Sequence, residues 1–282
     1  MKTGLVLEGG ASRTIFTCGI LDALLDNNIF LNYVAGASAG ISYGVSYLSK
    51  QSGRNHKITE LYMNDKRYMG FGNMLDRNNR SYYGLDFVFG EVPARLLPFD
   101  FDEYKRNGEN GFGAVTNIET GKTEYMRVKA EDKKWTVLRA SCALPILFSP
   151  IKINGAYYMD GGITDSIPFR YALDSGLDKV IVVLTRPRGY VKKPEKLTST
   201  VRLKYPKYPK LAEALKNRHI MYNRELEELS QLEKEGKALV LAPEKDYGIK
   251  RTENDPKILL PFEKEGYDYA VRNLETIRSF IN

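Results

Sequence analysis

A chain of 282 residues with 43% hydrophobic and 27% charged residues can bury a sizeable core, and this composition is typical of a globular protein rather than a disordered one. No apolar run reaches the roughly 18–20 residues of a membrane-spanning helix, and two histidines and two cysteines exclude a histidine-rich metal site and a disulfide scaffold. The net charge of +7 is concentrated in residues 186–218, which hold eleven Lys or Arg against two acids. Because the N-terminus lacks a signal-peptide pattern, we expect a cytoplasmic protein.

The first fifty residues alternate between strand and helix patterns. Lys2–Glu8 is an apolar strand pattern, and apolar residues at helical spacing follow in Thr14–Asn27. Tyr33–Ala35 is a second short strand, and Ala39–Ser49 is a second helix. This order predicts an α/β fold with a parallel sheet and helices on its faces.

The rest of the chain continues one sheet, which predicts a single domain over residues 1–282. Residues 51–105 are rich in aromatic side chains and lack clean periodicity, so we expect an insert of irregular helices and loops laid over the sheet. The later patterns predict two hairpins (Phe112–Asn117 with Lys122–Val128, Ile151–Ile153 with Ala156–Met159), two strands (Val180–Thr185, Leu239–Ala242) and three helices (Trp135–Cys142, Tyr222–Lys234, Glu263–Phe280).

The sequence Gly36-Ala37-Ser38-Ala39-Gly40 matches G-x-S-x-G between a strand and a helix. In that context the motif indicates a nucleophile elbow, whose small residues let the chain turn sharply and expose one serine hydroxyl. A tight helix–strand contact and a phosphate-binding turn are the alternatives.

Two further segments supply the groups that a nucleophilic serine needs. The turn Glu8–Ser12, "EGGAS", follows the first strand, where the N–H groups of Gly9, Gly10 and Ala11 can form an oxyanion site. Asp160 precedes two glycines in "YYMDGGITDSIP" and is the candidate base, although a turn aspartate is common without any such role.

Four ordered blocks resemble the patatin-like phospholipase family in its bacterial form. They are "LVLEGGASR", "GASAG", "ASCALPILFSPIKING" and "YMDGGITDSIP". The resemblance implies a three-layer α/β/α fold with a mostly parallel sheet. It also implies a Ser–Asp dyad, Ser38 as nucleophile and Asp160 as general base, which hydrolyses carboxylic esters of lipids without a metal or cofactor. Arg13 falls where the family has a basic residue, and it either positions the loop, meets a substrate anion or forms a structural salt bridge.

Two departures from the family pattern concern the glycine-rich block. Ala11 and Thr14 stand where the family has glycines. They leave open reduced activity, altered substrate size, or an inactive patatin fold that serves as a lipid-binding or scaffold protein. A Ser38–Asp160–His219 triad is a further alternative, ranked below the dyad because His219 lies among basic residues.

The basic stretch Arg186–His219 is predicted to be a mobile flap over about residues 186–218. Its prolines disfavour a continuous helix until about Leu211. Lysines interleaved with tyrosines suit an anionic membrane surface, so we expect peripheral contact with the inner membrane face, with a solvated loop as the alternative. Nucleic-acid binding is not expected because no recognition motif accompanies the charge. The oligomeric state is not indicated.

Overall fold

The computed structural model describes residues 1–76 and 80–282, so the aromatic insert is described apart from residues 77–79. Eight strands form one sheet: β1 Thr3–Leu7, β2 Val34–Ala37, β3 Gly111–Asn117, β4 Lys122–Arg127, β5 Ile151–Ile153, β6 Ala156–Asp160, β7 Lys179–Val183 and β8 Ala238–Leu241. The strand order is β5-β6-β3-β2-β1-β7-β8, and β4 pairs with β3 outside this path. Four pairs of neighbouring strands are parallel: β3 with β2, β2 with β1, β1 with β7, and β7 with β8. These pairs confirm the predicted mostly parallel α/β sheet.

Strand β3 has one neighbour along its first edge and two along its second. Along the first edge, β3 pairs with β4 from Phe112 to Asn117. On the other edge β2 pairs in parallel up to Ala37, and antiparallel β6 pairs from Tyr158 to Asp160. Strands β2 and β6 therefore approach each other end to end along β3.

The sheet is covered on both faces, which makes the three layers. Leu5 and Leu7 of β1 point into a core with the first helices of the chain, while Val6 between them points to the opposite face. That second core contains Tyr222 and Leu229 from the long helix α9. The alternation follows from the period of two along a strand and explains why β1 reads as a continuous apolar run.

Eleven α-helices are found in the described residues: α1 Ile15–Asp26, α2 Ala39–Leu48, α3 Arg54–Tyr62, α4 Gly72–Leu75, α5 Phe101–Arg106, α6 Thr136–Ser141, α7 Phe169–Asp174, α8 Thr198–Lys204, α9 Pro209–Lys234, α10 Pro256–Arg272 and α11 Leu274–Ile281. Short 3₁₀ turns cover Ala11–Thr14 and Gly161–Ile163, and a π-helix covers Phe87–Leu96. None of the helices in these ranges is long and apolar enough to cross a bilayer. The two cysteines are unpaired, as the sequence predicts.

The C-terminal helices differ from their predicted bounds. Helix α9 begins at Pro209 rather than near Tyr222, because proline is well accommodated in the first turn, where its missing N–H has no intrahelical acceptor. The predicted helix Glu263–Phe280 is two helices, α10 and α11, which meet at Asn273.

The predicted basic flap contains more structure than its prolines suggest. The short helix α8 lies between them, and the chain leaves the helical conformation again before α9 begins at Pro209, so no continuous helix spans the prolines. At Lys192 the backbone N–H donates to the side-chain oxygen of Asn223 at 2.8 Å, and the Asn223 amide donates to the Lys192 carbonyl at 3.1 Å. The first part of the segment is therefore held against α9.

Helices α1 and α10 cross at very short range. A Cβ placed on Gly266 would lie 2.1 Å from the carbonyl oxygen of Phe16, and one on Gly19 would lie 2.0 Å from that of Glu263. The two backbones touch because neither helix carries a side chain at the crossing. This contact fixes the C-terminal helices on the face of the sheet that α1 covers.

We predict that Gly266→Ala destabilises the fold by at least about 1–3 kcal/mol, because the added methyl group forces the two helices apart. Urea denaturation measures the loss. Gly72→Ala is the matched control, since a Cβ there meets no atom within 4 Å. Equal midpoints for the two variants would contradict the close crossing.

Candidate active site

Ser38 lies between β2 and α2 in a backbone conformation that non-glycine residues rarely adopt, with φ 53° and ψ −130°. The glycines of the motif permit this turn. A Cβ on Gly40 would lie 2.5 Å from the carbonyl oxygen of Leu7, and one on Gly36 would lie 2.7 Å from the backbone nitrogen of Ile41. Strain of this kind persists only where the surroundings hold it, and it is concentrated at functional sites.

A buried serine that the sequence analysis did not single out holds this turn. The Ser38 N–H donates to Ser141 Oγ at 2.8 Å, and the Ser141 hydroxyl donates to the Ala114 carbonyl at 2.7 Å. Ser141 therefore ties the elbow to β3 through two hydrogen bonds. The only sequence signal was its place in the block "ASCALPILFSPIKING".

Asp160 is the last residue of β6 and is 2% exposed. Its Oδ1 accepts a hydrogen bond from the Gly162 N–H at 2.8 Å, which fixes the carboxyl group on its turn. Burial raises the pKa of Asp160, and the positive charge of Arg218, the Ser38 hydroxyl and the Gly162 N–H oppose that rise. A carboxyl group in this state is a stronger base than one in water once it is ionised.

The end-to-end meeting of β2 and β6 brings Ser38 and Asp160 together. Ala37 is paired with Ala114 of β3, and Asp160 is paired with the next residue, Val115. Ser38 is therefore close enough for its hydroxyl to lower the pKa of Asp160. The second carboxylate oxygen, Oδ2, nevertheless has no partner in the described part of the chain that meets hydrogen-bond distance and angle limits. Ser38 and Asp160 are therefore neighbours, and no hydrogen bond to Oδ2 joins them in this structure.

Arg218 is the charged residue that sequence reasoning missed. It is 7% exposed, donates from Nε to the carbonyl of Gly162, and pairs with Glu195 at 2.9 Å. It thus holds the turn that carries Asp160 and favours the ionised carboxyl group. Its neighbour His219, the alternative third member of a triad, instead contacts the Lys216 carbonyl through Nδ1 at 3.1 Å and lines neither cavity beside Ser38.

The glycine-rich loop differs from its predicted role at one position. The N–H of Gly9 donates to the Ser166 carbonyl at 3.3 Å and is therefore already engaged. For Gly10 and Ala11, no acceptor is found within residues 1–76 and 80–282. The N–H groups of Gly10 and Ala11 are therefore available to an oxyanion, whereas that of Gly9 would first have to leave Ser166, and the oxyanion role of all three residues stays a prediction.

Ala11 adopts φ 51°, the left-handed conformation that glycine tolerates better. The alanine at this family glycine position therefore costs on the order of 1 kcal/mol, while its N–H remains presented. The buried Thr14 ends the 3₁₀ turn at the N-cap position of α1, and its hydroxyl has no partner within the described residues.

Arg13 makes no ion pair with any described residue. Its Nη1 donates to the Ile249 carbonyl at 3.4 Å, which ties the loop to the C-terminal region. Burial, then the charges of Arg186 and Arg251, lower the pKa of Arg13 to about 10. The structural salt bridge considered for Arg13 is not formed with any described residue. Two of the predicted roles remain: positioning of the glycine-rich loop and contact with a substrate anion.

Two cavities of opposite character meet at Ser38, and Ala11, Ser38 and Leu144 line both of them. The first encloses about 930 Å³, partly open to solvent, and is walled by apolar residues of α2, α6 and the aromatic insert. They include Val45, Ile58, Phe89, Phe99 and Trp135. The second is smaller, about 420 Å³, and half of its lining residues are charged. Within the described ranges, no group of three or more His, Cys, Asp or Glu is placed to hold a metal ion.

Comparison with known proteins gives consistent matches for the first two thirds of the chain. The model of the patatin-like phospholipase family matches residues 5–173, and that of a domain of unknown function, DUF6363, matches residues 208–282. The uncharacterized protein YjjU of Escherichia coli is 30% identical over 207 residues, with 66% of this chain and 52% of that protein covered.

More distant relatives have named activities or solved structures. Lysophospholipase NTE1 of Yarrowia lipolytica is 28% identical over 182 residues, which cover 64% of this chain and 12% of that protein. The chain thus spans about half of YjjU and a small part of NTE1. The crystal structure of VipD from Legionella pneumophila superposes with a TM-score of 0.55 at 15% identity, over 98% of this chain and 67% of that one. This last likeness concerns the fold. The family match covers more than half of the chain, and the protein therefore belongs to the patatin-like phospholipase family.

Proposed function

We propose that this protein hydrolyses carboxylic esters of lipids through an acyl-enzyme on Ser38, with Asp160 as the general base. The observation that carries the proposal is that Ser38, which is adjacent to the buried Asp160, lines an apolar cavity, while both residues line the cationic cavity beside it. A cavity with an apolar and aromatic lining suits an acyl chain. Membership of the family and the likeness to a lysophospholipase support the same reaction class.

The proposed reaction has two halves. Ser38 Oγ attacks the ester carbonyl while Asp160 takes the hydroxyl proton, and the N–H groups of Gly10 and Ala11 donate to the developing oxyanion. Asp160 then returns the proton to the leaving alcohol. In the second half Asp160 activates a water molecule that cleaves the acyl-enzyme, so no cofactor is called for.

An inactive lipid-binding protein is the alternative function. The strained backbone at Ser38 favours the enzyme, because lipid binding alone does not need that strain.

The C-terminal region belongs to the same proposed unit. Strand β8 pairs with β7, and the hydroxyl of Ser12 donates to the carbonyls of Arg251 and Glu253 at 2.9 and 2.7 Å. We propose one domain over residues 1–282 on this basis, although the family models divide the chain in two.

We predict that Ser38→Ala loses hydrolysis of soluble acyl esters and labelling by a fluorophosphonate probe while it keeps its fold. Asp160→Asn keeps the size of the side chain and removes its basicity, so turnover falls at least about 10²-fold. Rates on a series of esters with increasing acyl length, together with circular dichroism, make the measurement. Ser199→Ala, on the exposed surface of α8, is the control. Unchanged turnover in Ser38→Ala would refute the enzyme assignment.

The pH profile tests the role of the base. The reaction needs ionised Asp160, so kcat/KM rises with pH through the pKa of this group. Since the charge of Arg218 lowers that pKa, Arg218→Gln shifts the acidic limb to higher pH, and Arg218→Lys shifts it less. Exposed Arg202→Gln leaves the limb in place. A limb that is identical in wild type and Arg218→Gln would show that another group titrates.

We further propose peripheral contact with anionic membranes through the surface around α8. Leu203 is 83% exposed, and Val191 and Leu197 are also exposed large apolar residues of the basic segment. Exposed cations surround them, and each Lys or Arg near an anionic surface contributes about 1 kcal/mol. The contact places the apolar side chains against lipid and the cations against headgroups.

Vesicle co-sedimentation tests this contact, with phosphatidylcholine vesicles that contain or lack phosphatidylglycerol, at low and high salt. We predict salt-sensitive binding to the anionic vesicles, and its loss when four exposed cations are changed together to Gln: Lys193, Lys196, Arg202 and Lys207. The control changes four exposed lysines elsewhere: Lys57, Lys66, Lys250 and Lys257. If both variants lose vesicle binding equally, the binding depends on the net charge of the protein and the proposed contact surface is wrong.

A further inference from the structure

The smaller cavity beside Ser38 has an unusual concentration of positive charge. Its lining includes five cationic side chains, Arg13, Arg186, Lys192, Arg218 and Arg251, against the carboxylates of Glu8 and Asp160. Four of the five cations, all except Arg13, come from beyond the segment that matches the patatin family model. The dyad is thus flanked by charges that the family match does not account for.

The acids near this cavity are mostly occupied. Glu8 accepts from the Thr185 N–H at 2.6 Å and from the Tyr222 hydroxyl at 2.7 Å. Glu195 pairs with Arg218 at 2.9 Å and with Arg251 at 3.2 Å. Asp246 pairs with Arg186 at 2.7 Å.

Two cations are left without a counter-charge in direct contact. Neither Arg13 nor Lys192 forms an ion pair within the described residues, and burial followed by the charge of Arg218 lowers the pKa of Lys192 to about 7. In addition, the Nε groups of Arg13 and Arg186 are buried and have no acceptor in the described part of the chain. Buried donors and mutually repelling cations are both stabilised by a bound anion.

The cations are also held in place. Both backbone groups of Lys192 are bonded to Asn223, and the loop that carries Arg251 is bonded to Ser12 of the glycine-rich turn. The site therefore needs little ordering when a ligand enters, which favours affinity.

The aromatic faces in this cavity are already covered by cations. The guanidinium of Arg186 lies 4.8 Å from the centre of the Tyr190 ring, and Lys192 Nζ lies 4.5 Å from that of Tyr222. Recognition of a quaternary ammonium group uses open aromatic faces. The cavity is consequently suited to a phosphate group without an attached choline.

We infer that Arg186, Lys192 and Arg251, together with Arg13, bind a phosphomonoester on the alcohol side of the substrate. Guanidinium and ammonium groups are the usual partners of phosphate oxygens. The inference rests on the proposed ester hydrolysis and names its substrate class: acyl esters of a phosphorylated alcohol, with the acyl chain in the apolar cavity and the phosphate in the cationic one. Ser38, which lines both cavities, faces the ester bond between them.

Binding of water-soluble head groups tests the site independently of catalysis. Isothermal titration of the wild-type protein uses glycerol 3-phosphate, glycerophosphocholine and inorganic phosphate as probes. Glycerol 3-phosphate should bind at least tenfold more tightly than glycerophosphocholine. Lys192→Gln and Arg186→Gln should each weaken its binding about tenfold, whereas Lys250→Gln, at an exposed lysine next to Arg251, should not.

Kinetics then link the site to the substrate. With one acyl chain throughout, monoacylglycerol phosphate should exceed monoacylglycerol and lysophosphatidylcholine in kcat/KM at least tenfold, mainly through KM, and Lys192→Gln should remove that preference.

Several results would overturn the inference. One is the absence of glycerol 3-phosphate binding at millimolar concentration; another is equal binding by wild type and folded Lys192→Gln. Inorganic phosphate that binds as tightly as glycerol 3-phosphate would assign the site to free phosphate instead. If neutral and phosphorylated esters are hydrolysed equally, the phosphate site fails while the proposed hydrolase stands; if the head group binds but no ester is cleaved, the hydrolase fails instead.

Discussion

The chain reversal at Ser38 is the constraint on which the site depends. A residue held at φ 53° between a buried strand and a helix costs about 1–3 kcal/mol, and only a well-packed surrounding maintains it. The surrounding here consists of the close approach of Gly40 to β1 and the hydrogen bond from the Ser38 N–H to Ser141. Once the reversal is fixed, the hydroxyl lies at the start of α2 and between the two cavities.

The site is assembled from two parts of the chain that differ in chemistry. Residues within 5–173 supply the elbow, Asp160, the glycine-rich loop and most of the apolar wall. Residues after 185 supply most of the positive charge, including Arg218, which holds the Asp160 turn from α9. The pKa of Asp160 is therefore set jointly: burial raises it, and a charge from the later part of the chain restrains that rise.

Local sequence patterns predicted the strand–turn–helix units and both hairpins, because each of these depends on neighbours within a few positions. They also singled out Ser38 and Asp160, which the fold brings to adjacent positions. The role of Arg218 depends on Gly162, 56 residues away, so no local pattern could indicate it. The basic stretch was interpreted as one surface, but the fold turns Lys192 toward the cavity while Lys193 stays exposed. Likewise the bond from the Gly9 N–H to Ser166 follows from how two loops meet, and no sequence spacing encodes it.

Strand β3 sets the distance between Ser38 and Asp160, although neither residue belongs to it. Ser38 and Asp160 are separated by more than one hundred positions, yet their spacing is set by consecutive residues Ala114 and Val115 on one strand. Insertions in the loops between them leave that spacing unchanged. A slip of β6 by a single residue, however, would move Asp160 by about 3.4 Å and turn its side chain to the other face of the sheet. Tolerance to insertions should accordingly be high in the loops that connect these strands and very low in the pairing of the three residues of β6.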